Sequence, residues 1–149
     1  MTGGSRHGVE VRAAQPGDAP ELARLLAGGA GPAMAERLEA MRGRADCAVL
    51  VAAGHGGLAG LVALHWAPTL QRARPVARIT ALAVDADERR RGIGRLLLKA
   101  ASQAARAAAC DSVEIAPHAG QEAVAAFCRA TGFTEGGAVF ERALRKRGG

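Results

Sequence analysis

The chain has 149 residues, of which 49% are hydrophobic and 23% are charged, so we expect one domain over residues 1–149 with a buried core. No apolar run could cross a bilayer and residues 1–12 lack the hydrophobic segment of a signal peptide, which predicts a cytoplasmic protein without a membrane partner. The formal charge of +6 favours an anionic ligand, whereas 3% aromatic residues and no tyrosine argue against nucleic acid, because single strands are bound by stacking.

The pattern of apolar residues predicts a strand, two helices, three strands, a helix, a strand, a helix and a closing strand or strand pair. Asp18 and Glu21 have the spacing of a capping box for the first helix, and Thr131-Gly132 is typical of a helix end. The predicted strands cover residues 9–13, 47–53, 58–66, 77–84, 111–116 and 133–144, and the predicted helices cover 19–27, 33–42, 94–109 and 121–130. Residues 1–7 and 145–149 are predicted to be disordered tails.

Cysteine usage gives no sign of a metal site or of disulfide bonds. Cys47, Cys110 and Cys128 are an odd, scattered set without the paired spacing that zinc ligands or a disulfide framework require. We therefore expect three reduced thiols and no metal.

Residues 88–98 are the most informative segment, because they join a predicted strand to a predicted helix through four arginines and two glycines. The first turn of a helix has unpaired N–H groups and the positive end of the helix dipole, so it attracts phosphate. Gly92 and Gly94 allow close approach of the backbone to such an anion. A solvated arginine cluster ahead of an ordinary helix is the alternative.

A second glycine-rich segment, residues 54–57, matches a loose dinucleotide-binding fingerprint. That fold needs a helix after the glycines and an acidic residue about twenty positions on, yet a strand follows here and no Asp or Glu occurs between Cys47 and Val84. The segment is better interpreted as the turn of a β-hairpin.

Two motifs together resemble the GNAT acetyltransferases. The segment Leu82-Ala83-Val84-Asp85 followed by Arg89-Arg90-Arg91-Gly92-Ile93-Gly94 is similar to their acetyl-coenzyme A signature, and residues 127–133, Phe-Cys-Arg-Ala-Thr-Gly-Phe, are similar to their second signature. The resemblance implies a single-domain α/β fold of the α+β mixed-sheet type, with a largely antiparallel central sheet splayed at the coenzyme site. It implies an N-acetyltransferase that uses acetyl-CoA as co-substrate.

The resemblance also assigns the coenzyme-binding residues. Backbone groups of Leu82, Ala83 and Val84 would hold the pantetheine arm, and Arg89 matches the leading Gln or Arg of the family motif. The pyrophosphate would lie on the backbone N–H groups of Arg90, Arg91, Gly92, Ile93, Gly94 and Arg95.

The implied reaction is direct attack of a primary amine, of a small molecule or a protein, on the thioester in a ternary complex, with a backbone N–H near Val84 stabilising the oxyanion. The amine arrives protonated, and His65, Glu114 and His118 are candidate bases, although each also fits an exposed residue without a catalytic role. Thr80 and Ala81 stand where many members of the family have a carboxylate.

Cys128 replaces the tyrosine that commonly protonates the departing thiolate in this family. It is either a weak general acid or a small packing residue. These departures leave open a second interpretation, a non-catalytic acyl-CoA-binding or regulatory module. Dimers are common in the family, so a homodimer also stays open.

Overall fold

The computed structural model describes residues 8–27, 31–89, 91–116, 122–137 and 139–145. Its residues divide into two units, Met1–Ile115 and Ala116–Gly149, which we describe separately. The residues predicted to form the tails lie outside the described residues, apart from Arg145. Within the described part of the chain, no helix is long and apolar enough to cross a membrane.

The first unit is built on a five-stranded mixed sheet with the strand order β1-β2-β3-β4-β5. The strands are β1 (Glu10–Ala13), β2 (Cys47–Gly54), β3 (Gly57–Ala67), β4 (Val76–Val84) and β5 (Ser112–Ile115). Neighbouring strands from β1 to β4 are antiparallel, and β4 and β5 are parallel. The predicted α/β class with a largely antiparallel sheet is confirmed.

Helices cover both faces of this sheet. The helices α1 (Ala19–Leu26) and α2 (Gly31–Arg42) lie on one face, and α3 (Ile93–Ala107) lies on the other. Alternate residues of a strand point to opposite faces of the sheet. Because both faces are covered by helices, β2 and β3 are apolar on both faces, which explains their almost continuous apolar sequences. The α3 face is centred on Val62, Leu64 and Leu97, all fully buried.

One glycine sets the spacing between β3, β4 and α3. A Cβ on Gly60 would lie 2.7 Å from the Ala83 carbonyl oxygen and 2.9 Å from the Leu97 side chain. Only glycine allows such a close approach. Gly60 therefore allows the last residues of β4 and the first turns of α3 to pack closely against β3. These two elements flank the arginine-glycine segment.

The second unit contains α4 (Glu122–Ala130). The Phe133 N–H donates to the Cys128 carbonyl at 3.1 Å, and Gly132 has a φ of 92°. This left-handed glycine confirms the predicted helix end at Thr131-Gly132.

Two local predictions are wrong. The described residues between Phe133 and Leu144 form no strand, and Val139, Phe140 and Leu144 are exposed, because alternation alone does not supply a partner strand. The expected capping box is also absent. Asp18 makes no side-chain cap on α1 but binds Arg12, at 2.7 and 3.0 Å, and the Gln15 N–H. Glu21 accepts a bond from the Leu58 N–H.

Candidate functional site

A stretch of β4 has one open side. The strand pairs with β3 as far as Val84, but its pairing with β5 ends at Ile79 opposite Ile115. Within the described residues, positions 80–84 therefore have no strand partner on the β5 side. An unpaired strand edge offers N–H and C=O groups to any extended chain that can lie along it.

A β-bulge marks where this open stretch begins. Ala63 is opposite Ala81 and Leu64 is opposite Ile79, so Thr80 is the extra residue. A bulge bends its strand and increases the local twist. The bulge lies directly after the point at which the pairing of β4 with β5 ends.

Backbone alternation decides which groups face the open side. The Asp85 N–H donates to the Ala59 carbonyl at 2.8 Å, so it points toward β3. Successive residues of a strand point their backbone groups in opposite directions, so Ala83 also faces β3, whereas Leu82 and Val84 face away from it. Leu82 and Val84 thus present N–H and C=O groups to the open side.

The open stretch leads directly into the arginine-glycine turn. After Val84 comes a short 3₁₀ helix, Ala86–Glu88, and α3 then begins at Ile93 with Gly92 as its N-cap. Gly92 has φ 79° and ψ 11°, a left-handed conformation that is costly for residues with a Cβ. The N–H groups of Ile93, Gly94 and Arg95 lie in the first turn of the helix, so they lack intrahelical acceptors. The N-cap residue, Gly92, has no side chain to bind them.

Positive charge surrounds this turn. Arg89, Arg91 and Arg95 are exposed, and Arg91 pairs with Glu88 at 2.9 Å. Arg90 lies outside the described residues. The turn therefore combines a helix N-terminus with cationic side chains, an arrangement that suits a phosphate group.

Two of the predicted bases lie in one row across the sheet. His65 is opposite both Cys47 and Arg78, and Arg78 is opposite Glu114, so all four residues are on the face that carries α1 and α2. Arg78 donates to Glu114 at 3.1 Å, and both side chains are about half exposed. The row crosses β4 two residues before the bulge. His118 lies outside the described residues.

A cavity of about 500 Å³ borders this row at Cys47. Arg12, Gln15, Met41 and Arg42 also line it. The Cys47 thiol is a poor nucleophile there, because burial and the neighbouring Asp46 carboxylate raise its pKa.

Cys128, the residue in place of the family tyrosine, lies in α4 of the second unit and is buried. Burial raises the pKa of its thiol, and Arg129 opposes that shift only in part. The thiol therefore stays protonated at neutral pH, but it gives up its proton less readily than an exposed thiol would.

Sequence comparison then decides the family. A family model described as the acetyltransferase (GNAT) family matches residues 21–133. The chain belongs to this family. The match confirms both the GNAT resemblance and the predicted acyltransferase class, and it spans the open stretch of β4, the turn and Cys128. Comparison with curated proteins gave no match.

Several solved structures share the fold. A putative acetyltransferase from Agrobacterium tumefaciens str. C58 is 28% identical with a TM-score of 0.78, over 90% of this chain and 99% of that one. A transcriptional regulator from Bacillus halodurans C-125 is 17% identical with a TM-score of 0.82, over 91% and 99%. AAC(6')-Iy, in complex with the bisubstrate analogue CoA-S-monomethyl-acetylneamine, is 16% identical with a TM-score of 0.79, over 93% and 99%.

Sequence reasoning missed two residues beside the turn. Asp85 directly follows β4 and binds Arg24 of α1 at 2.6 Å, although the two lie 61 positions apart in the sequence. Arg24 lies outside the arginine-rich segment 88–98, and the pattern of apolar residues carries no signal for such a pair. Only the packing of α1 against the start of β3 brings them together.

Proposed function

We propose that the protein transfers the acetyl group of acetyl-CoA to a primary amine by direct attack in a ternary complex. The observation that carries this proposal is the open stretch of β4 at residues 80–84, which continues into the uncapped N-terminus of α3. An extended thiol-bearing arm and a pyrophosphate at its end match the two halves of this site.

The coenzyme would be held largely by backbone groups. Leu82 and Val84 would bond to the amide groups of the pantetheine arm, with Ala83 packing beside them. The N–H groups at positions 89–95 would hold the pyrophosphate, with Arg89, Arg91 and Arg95 adding attraction. Bound acetyl-CoA supplies the thioester, and a backbone N–H at Val84 or Leu82 would stabilise the oxyanion.

The acceptor amine would approach from the face that carries α1 and α2, because the other face of β4 is closed. Ile79, Leu82 and Val84 pack against the cluster that includes α3. His65 and Glu114 border the approach. Because the Glu114 carboxylate is paired with Arg78, His65 is the better candidate to take a proton from the amine, directly or through water.

The acceptor itself is proposed only as a class, a small-molecule or protein amine. The two oppositely charged residues of the row balance each other, since Arg78 pairs with Glu114. This balance favours acceptors that are not strongly polycationic. The cytoplasmic location stays a prediction.

A non-catalytic acyl-CoA-binding module is the second candidate, because the chain has no tyrosine and the pKa of Cys128 is raised rather than lowered. Two measurements separate the candidates. Acetyl-CoA should raise the melting temperature in a saturable way in both cases, whereas a panel of primary amines should release free thiol only if the protein is an enzyme. A protein that acetyl-CoA does not stabilise would contradict both.

A further inference from the structure

Asp85 connects the open stretch of β4 to the arginine-glycine turn. Its N–H bonds to Ala59 of β3, and its carbonyl accepts from the Glu88 N–H at 2.9 Å. One oxygen of its side chain accepts from the Asp87 N–H at 2.9 Å. These bonds fix the direction in which the chain leaves β4 before it reaches Arg89 and Gly92.

The other carboxylate oxygen of Asp85 is bound by helix α1. Arg24 donates to it at 2.6 Å, and the Asp85 side chain is only 18% exposed. A second guanidinium nitrogen of Arg24 donates to the Leu58 carbonyl at 3.3 Å. One guanidinium therefore joins α1 to the start of β3 and to the end of β4 at once.

Glu21 strengthens the same connection one turn earlier in α1. It accepts from the Leu58 N–H at 2.5 Å and lies 3.7 Å from Arg24. The neighbouring Gly57 has a φ of 119°, and a Cβ there would be 2.8 Å from the Glu21 carboxylate. The hairpin is thus shaped to admit this carboxylate, and Glu21 in turn orients Arg24.

We propose that Arg24 is a positioning residue for the coenzyme site: through Asp85 it holds the turn so that the N–H groups at the start of α3 face the pyrophosphate. This role rests on the proposed function. Because Arg24 is half exposed to solvent, the ion pair contributes little to stability, and we expect it to act mainly on the geometry of the turn. Since α1 also borders the face where the amine would approach, the pair links the acceptor side of the fold to the coenzyme side.

Two variants test the pair, and each leaves part of the network in place. Asp85→Asn keeps an oxygen for the Asp87 N–H but loses the charge that binds Arg24. Arg24→Gln removes the guanidinium and leaves Asp85 intact. Each should weaken coenzyme A binding by about tenfold in isothermal titration calorimetry. With any amine that the panel identifies, KM for acetyl-CoA should rise while kcat stays within about twofold.

A double variant and a conservative variant distinguish positioning from a direct attraction between Arg24 and the phosphates. If Arg24 acts through Asp85, the double variant should bind coenzyme A no more weakly than either single one. Arg24→Lys keeps the positive charge but loses the planar guanidinium, which binds Asp85 and Leu58 at once. It should therefore recover only part of the affinity that Arg24→Gln loses. Additive losses, or full recovery with lysine, would overturn the proposal.

Arg44→Gln is the matched control, since Arg44 also forms an ion pair with an aspartate, Asp46, at 2.8 Å and away from the turn. It should leave the affinity for coenzyme A unchanged. Equal losses in this control and in Arg24→Gln would overturn the proposal, as would unchanged affinity in Arg24→Gln. If the unmodified protein itself fails to bind coenzyme A, the proposed function is wrong. This failure is distinguishable from a failure of the Arg24 proposal, because binding by the unmodified protein is measured before the variants are compared.

Discussion

At the scale of single residues, the coenzyme site depends on backbone conformation more than on any side chain. Gly92 shows this most clearly. A Cβ there would meet no atom within 4 Å, so space is not what requires glycine. Its φ of 79° is the requirement, because this conformation costs a residue with a Cβ about 1–2 kcal/mol.

Gly92→Ala should therefore weaken coenzyme A binding by about tenfold, as the turn relaxes away from the left-handed conformation. Gly92→Asn should retain more of the affinity, because asparagine tolerates this conformation better than alanine does. Calorimetric titration of the two variants provides the comparison. Equal affinities for the alanine and asparagine variants would show that φ is not the property that matters.

Cys128→Ala tests the departure from the family tyrosine. We expect single-turnover acetyl transfer to slow by less than about tenfold, because the thiolate of coenzyme A is a good leaving group and the raised pKa of Cys128 makes it a weak acid. Cys110→Ala, at another buried thiol, is the control for packing. A loss of several orders of magnitude with coenzyme binding intact would assign Cys128 a catalytic role.

At the scale of elements, the site is a consequence of how β3, β4 and α3 pack. Gly60→Ala should push β3 away from β4 and from α3, because the new methyl group would meet the Ala83 carbonyl and Leu97. We expect a loss of about 1–3 kcal/mol in urea unfolding together with weaker coenzyme A binding. Gly56→Ala, in the adjacent hairpin where a Cβ meets nothing within 4 Å, should change neither. Unchanged stability in Gly60→Ala would contradict the close packing.

The connection between β1 and α1 should make stability depend on pH. The hydrogen bond from Arg12 is the main cause that lowers the pKa of Asp18 in the folded protein. The pair therefore contributes its full stability above the ordinary carboxyl pKa of about 3.9, and this contribution is lost as the pH falls through the lowered pKa. Asp18→Asn should be less stable by about 1 kcal/mol at pH 7. In urea titrations this difference should shrink toward pH 2.

Arg12→Gln is the matching control, because it removes the same pair from the other side. In this variant too, the free energy of unfolding should depend less on pH in the acidic range. A difference between the unmodified protein and Asp18→Asn that stays constant from pH 7 to pH 2 would exclude the ion pair as its source.

At the scale of the whole molecule, the sequence predicts the elements better than the contacts between them. The hairpin around residues 54–57, strand 77–84 and helix 94–109 all agree with the structure to within two residues at each end. Glycines mark the hairpin, Pro75 precedes the strand and Gly92 precedes the helix. The bulge at Thr80 and the early end of the β4–β5 pairing were not predictable, since register depends on partners elsewhere in the chain.

The site divides in the same way. The turn at residues 88–95 could be identified because its signals, glycines and arginines between a strand and a helix, are local. Arg24 could not, because its partner is 61 positions away. The strand expected over residues 133–144 was wrong for the converse reason, since local alternation was read as pairing.

The central claim is that the open stretch of β4 and the start of α3 form one coenzyme site, and amide hydrogen exchange measured with and without coenzyme A tests it most directly. Binding should slow exchange at Leu82, Val84, Ile93, Gly94 and Arg95, and leave Ala83 and the edge of β1 unchanged. Protection of the α3 amides without any at Leu82 and Val84, or protection confined to other parts of the chain, would contradict the claim.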